Sequence, residues 1–247
     1  MSSPFHGPPR DKSQFISAQL AGDQTVVFTF YHGVYRMAQG IAAFPDGGMA
    51  KYDVDVNILG TFHIPSGKLT VVRRQKNRDW QPGQGHFHVV MTRGPVALIS
   101  EAGQVRDGYT SGVKHYILNI TTHELKPVWL KEELAEKGYA LSEMHIANDE
   151  GTLLLISPTL EEDKRQMFWD RDASIIPQLW LRYPTGEYVK VAACRHFERV
   201  AGDDIIYWQP TTRIFYAFNI KTRQTRPLPG YKQPPYQDVT EGVSADK

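Results

Sequence analysis

The sequence predicts an all-β fold, a β-propeller-like array of four-stranded antiparallel blades, of which four are detectable in the 247 residues. Three observations carry this expectation. The chain is divided into short β-branched and aromatic runs, such as Thr25–Phe30, Leu153–Ile156 and Ile205–Trp208, each bounded by Gly, Asp, Asn or Pro. These runs recur as hairpins in a repeating order, and internal repetition is the signature of an array. Helical spacing is confined to Leu130–Lys137, enough for one or two connecting turns.

The repeat has two parts. A first hairpin recurs as SQFISAQLAGDQTVVFTF, GHFHVVMTRGPVALIS, SEMHIANDEGTLLLIS and RHFERVAGDDIIYW, with turns at Gly22, Gly94, Gly151 and Gly202. A second hairpin follows each, turning at Ser66-Gly67, Thr122-His123, Thr185-Gly186 and Thr222-Arg223. Two hairpins give four strands, the content of a propeller blade. Regular strand spacing alone also fits a meander or sandwich. The blade number stays open between a four-bladed ring, a five-bladed ring using residues 31–60, and part of a larger propeller. A charged insertion, Leu160 to Ser174, splits a later hairpin.

Residues 1–13 and 230–247 are rich in Pro, Gly, Ser and charge and read as flexible tails, leaving 14–229 as the propeller domain. With 28 basic and 27 acidic residues, no global field points to nucleic acid or a membrane surface. One cysteine, Cys194, excludes an intramolecular disulfide, and no Cys/His finger spacing is present. No run reaches the roughly 18 apolar residues of a spanning helix, and the first residues lack an apolar leader, so a cytoplasmic location is expected. Motifs for a nucleophilic serine, a phosphate loop or a two-histidine zinc helix are absent from the sequence.

The histidines form a pattern. Counting back six residues from Gly94, Gly151 and Gly202 reaches His88, His145 and His196; from Gly22 it reaches Ile16. If the alignment holds, three imidazoles converge at the channel mouth, and three histidines with one open position are a recurring metal arrangement. Gln84 and His86 precede His88 at two-residue spacing, which puts them on one face of a strand, and Glu198 follows His196 likewise. The competing reading is hydrogen bonding between neighbouring blades. His63, His115 and His123 belong to the second hairpins and read as surface or packing residues. Arg73, Arg74 and Trp80 lie in a basic stretch next to an aromatic ring, suited to a sugar acid or phosphate, although such a run also serves as solvated surface.

At Gln84-Gly85-His86-Phe87-His88, followed by Ala97–Glu101 and His115–Asn119, the sequence resembles a blade of the oligogalacturonate lyase and TolB-like propellers. One blade is covered closely and the other three by pattern. In that lyase family a Gln and a His-x-His pair, with a histidine from another blade, hold manganese. The resemblance implies metal ligands Gln84, His86 and His88, with His145 or His196 as the distant partner, and a divalent ion, manganese or zinc. It also implies β-elimination on an acidic, uronate oligosaccharide but carries over no catalytic base; among this chain's own residues His196 is placed as base with Arg195 as its charge partner, and Arg73, Arg74 and Trp80 are placed toward substrate by their basic, aromatic stretch. This chain departs from the family in three ways. Gln84 and His86 are two apart instead of three, two blades follow the His-x-His blade, and the family propeller is longer and seven-bladed. The alternative is a non-enzymatic propeller that binds a protein or carbohydrate partner.

Overall fold

The computed structural model describes residues 10–11, 13–22, 24–37, 50–76, 86–101, 104–106, 109–111, 113–162, 176–194, 197–209 and 211–231. Strands β1 (Arg10–Asp11), β2 (Gln14–Leu20), β3 (Thr25–Met37), β4 (Ala50–His63) and β5 (Lys68–Lys76) form the first sheet. The second holds β6 (Phe87–Arg93), β7 (Val96–Glu101), β10 (Lys114–Asn119) and β11 (Leu125–Val128), with a separate ribbon of β8 (Gln104–Arg106) and β9 (Tyr109–Ser111) between them in the chain. After the helix α1 (Leu130–Ala135) comes the third sheet, β12 (Glu143–Ile146), β13 (Leu153–Ser157), β14 (Gln178–Arg182) and β15 (Tyr188–Ala193). The fourth is β16 (Phe197–Ala201), β17 (Asp204–Gln209), β18 (Ile214–Asn219) and β19 (Thr225–Leu228). All pairings are antiparallel, and β2, β6, β12 and β16 are the first strands of successive blades.

The sheets stack face to face, which explains why the second strand of a blade reads as an unbroken apolar run. Ala97 and Ile99 of β7 join Val27 and Leu59 in the seam between the first and second blades, while Val96 and Leu98 face the third. Leu153 and Leu155 of β13 complete that second seam with Leu130 and Leu134 of α1. Leu154 and Ile156 turn the other way, to Ile205, Tyr207 and Phe218 of the fourth blade. A strand buried on both faces needs apolar side chains at odd and even positions alike. Each such fully buried Leu or Ile is worth about 1.5–3 kcal/mol relative to exposure.

The blades are also tied by polar contacts along their first strands. β2 lies beside β6, and β6 beside β12. The Gln19 amide donates to the carbonyls of Val89 and Val90 at 3.2 and 3.0 Å, and the Val89 N–H donates to Ser17 Oγ at 2.8 Å. Arg93 reaches the carbonyls of Ile146 and Gly202, both at 3.4 Å, so one side chain joins three blades at their turns.

Residues 31–60 supply no fifth blade among the described residues: 31–37 and 50–57 lengthen β3 and β4 in register, from His32 opposite Val56 to Met37 opposite Ala50. Pairing also reaches Arg10 and Asp11, opposite Tyr35 and Val34, ahead of the expected domain start. The second-hairpin turns fall where expected, each with a left-handed residue: Gly67 (φ 65°), His123 (58°), Gly186 (88°) and Arg223 (60°). His123 and Arg223 pay a steric cost that glycine avoids. It is offset by Asn119 and Asn219, whose side-chain oxygens accept from the N–H groups of Thr121 and Thr122, and of Lys221 and Thr222, at 2.9–3.1 Å.

Candidate functional site

The end of the first seam that lies away from the Gly22 and Gly94 turns is polar. Tyr31 and Asn57 sit opposite each other on β3 and β4 and are buried, at 6% and 2% exposure. His86, just before β6, meets both. Its Nδ1 lies 2.7 Å from Asn57 Oδ1, and its ring meets Tyr31 edge-on at 5.2 Å. An amide oxygen can only accept, so Nδ1 carries a proton, and in the neutral ring the lone pair is then on Nε2, the tautomer of a general base or metal ligand.

Arg73 enters the same seam from β5. Its register partner Leu59 belongs to the seam's core, and its guanidinium lies over the rings of Phe87 and Tyr116 at 5.5 and 5.2 Å. The Tyr116 hydroxyl donates to Glu101, a buried carboxylate. Burial and that hydrogen bond raise the Tyr116 pKa, which keeps the donor proton in place. A guanidinium, an imidazole and a tyrosine–carboxylate pair thus meet at one seam, a combination suited to a small anion with hydroxyl groups.

Other expected site residues do not join them. Arg74 pairs with Ile58, so strand alternation turns it to the opposite face, where it is exposed. His88 is exposed, on the face of β6 away from Phe87 and Val89. His145 stands in the third seam, its ring 4.8 Å from Phe197 and Nε2 3.9 Å from the Glu143 carboxylate, beyond hydrogen-bond range. The common six-residue offset does not give a common height. His88 pairs with Ser100, four places past the first pair of its hairpin, Arg93 with Val96. His145 pairs with Leu154, two places past Ala147 with Thr152. That difference is about 7 Å along a strand.

The cause is the turn: Gly94 opens a two-residue turn between Arg93 and Val96, whereas Gly151 closes a four-residue turn between Ala147 and Thr152, and a β-bulge in β6 narrows the resulting offset by one pair. Extra residues Ile16, Val90 and Glu198 interrupt β2, β6 and β16, whereas β12 pairs without interruption and has a longer turn. Among the described residues no three His, Cys, Asp or Glu side chains are placed to share a metal ion. Trp80, Gln84, Arg195 and His196 lie outside the described residues. His115, expected at the surface or in packing, is buried, and burial lowers its pKa. Asn57 and Tyr31 escaped the sequence reading because their strands carry no motif, and Glu101 and Tyr116, although inside segments that carry the family resemblance, were given no role by it.

The chain matches no family model and no curated protein. Among solved structures it is similar to an oligogalacturonate lyase in complex with manganese, at 14% identity and a TM-score of 0.38, over 85% of this chain and 63% of that one. An oligogalacturonate lyase from Vibrio parahaemolyticus gives 12%, 0.37, 85% and 64%, and the hydrazine synthase of Kuenenia stuttgartiensis 10%, 0.28, 87% and 64%. The chain thus spans less than two thirds of the length of each. At these scores no residue role is carried across.

Proposed function

We propose that this propeller binds the carboxylate of an acidic, uronate-type oligosaccharide at the polar end of its first seam, and that β-elimination is the reaction such a site would serve. The observation that supports this reading is Arg73, a cation held by aromatic faces with no carboxylate partner among the described residues. A planar guanidinium pairs with a carboxylate through two parallel hydrogen bonds, worth about 1.5–3 kcal/mol in charge-assisted form. Neutralising a uronate carboxylate makes the neighbouring C–H more acidic. A base then takes that proton while the bond from the β-carbon to the glycosidic oxygen breaks, and the departing oxygen takes a proton from water or from the newly protonated base, leaving an unsaturated sugar and a free hydroxyl on the other fragment.

His86 is a described imidazole at the polar end of this seam and could act as that base; His196, with Arg195, is the alternative base. Among the described residues His86, His88 and His145 are not placed to share one manganese or zinc ion, because His88 and His145 face away from His86's seam; Gln84 lies outside the described residues. Binding without turnover, to a sugar or a protein partner, is the second reading. It is favoured by Glu101, whose carboxylate is engaged by Tyr116.

Calorimetric titration with galacturonate oligomers and with neutral galactose oligomers tests the first half. Preference for the acidic sugar is expected, and equal affinity would sink the proposal. Ultraviolet absorbance of the unsaturated product, with and without added manganese, tests the second. Binding without new absorbance leaves the non-catalytic reading.

A further inference from the structure

The two end faces of the array differ in chemistry. On the fourth blade the outward face carries Ile206 and Ala217, yet these are only 6% and 1% exposed. A polar cover lies over this face: Arg226 pairs with Asp204, Asn219 donates to Asp204 at 2.9 Å, and Arg199 lies 5.7 Å from the Tyr231 ring, itself packed on Phe215. On the first blade nothing comparable is found among the described residues. Phe15, Leu69 and Val71 are 70%, 60% and 50% exposed and, with Phe28, Phe30 and Ile58, line a groove of about 650 Å³ without a polar side chain. Gly60 forms part of its floor, since a Cβ there would come within 2.5 Å of the Phe28 ring.

We propose that this face packs against the same face of a second copy, giving an isologous dimer. Each seam in the molecule is sheet on sheet, and the outward face of the first blade has the composition of those buried faces. The fourth blade's face does not suit it, because burying Arg226, Asp204 and Arg199 against hydrocarbon would strip their water without new partners. That disfavours head-to-tail association and leaves the self-complementary pairing. Exposed Arg74, beside Ile58, supplies a polar rim. With Phe15, Leu69 and Val71 as its main exposed apolar side chains, each face is small against the roughly 800 Å² per partner of a standard interface, so the dimer should dissociate on dilution.

Sedimentation velocity on the full chain across a dilution series should show twice the monomer mass at high concentration. Leu69→Lys and Phe15→Lys, both at exposed positions, should each raise the dimer dissociation constant on the order of 100-fold. Arg226→Ala on the opposite end should leave it unchanged. Thermal unfolding of each variant in dilute, monomeric solution checks that the fold is retained. A wild-type chain that stays monomeric throughout, or a dimer that persists in both lysine variants, would overturn the proposal.

Discussion

Arg73 and Arg182 both project from the outer half of a blade into a seam, and the fold surrounds them differently. Arg182 of β14 meets Glu133 of α1 through Nε and Nη2 at 2.7 and 3.1 Å, and the Tyr188 hydroxyl donates to the same carboxylate at 2.7 Å. Its side chain is 11% exposed. Arg73 instead lies over ring faces and within hydrogen-bonding reach of the Tyr116 hydroxyl, with no carboxylate partner among the described residues. A guanidinium already closed by a two-point carboxylate pair is a fastener between helix and blade. One held through its faces keeps capacity for an incoming carboxylate. Charge alone does not separate the two; the presence of α1 does.

The largest effect on stability is expected from Arg182→Ala, which removes two charge-assisted bonds and leaves Glu133 part-buried. A loss of about 2 kcal/mol in denaturant unfolding is anticipated. Tyr188→Phe removes one bond from the same cluster and should cost about 1 kcal/mol. Arg73→Ala should change stability by less than about 1 kcal/mol, since it forfeits ring contacts and no ion pair. A larger loss than for Arg182→Ala would reverse the comparison.

Acid titration sharpens the contrast. The hydrogen bond from Arg182 holds the Glu133 carboxyl below the ordinary carboxylate range. Near that range the unfolded chain binds more protons than the native one, so stability rises with pH. The contribution is full above the unfolded pKa and is lost as pH falls through the lowered native value. In Arg182→Ala that part of the acid dependence should shrink, while in Arg73→Ala it should persist, as read from melting temperature against pH. An unchanged acid limb in Arg182→Ala would show that Glu133 is not held by Arg182.

Strand content, blade order and the second-hairpin turns were legible in the sequence because they follow from local chemistry. Runs such as Leu153–Ile156 report burial on both faces, and Thr185-Gly186 reports a turn. What escaped was register. Val90 and Glu198 look like ordinary strand residues, and nothing local marks them as bulges, yet one extra residue shifts every side chain beyond it. The histidine alignment was pinned on turn glycines, but Gly94 opens a two-residue turn and Gly151 closes a four-residue one, so His88 and His145 came out level when they are not. Arg73 was found in a basic run beside Trp80, and His86 by its two-residue spacing from His88. Their common seam, with Asn57 and Tyr116, depends on contacts between separate blades.

The central claim is that Arg73 is a ligand-binding cation and Arg182 a structural one. Calorimetric affinity for a galacturonate oligomer, measured side by side for the wild type, Arg73→Ala and Arg182→Ala below their melting temperatures, tests it most directly. The account predicts a loss of about 10- to 100-fold for Arg73→Ala and wild-type affinity for Arg182→Ala. Equal affinities for wild type and Arg73→Ala, or a loss confined to Arg182→Ala, would contradict it.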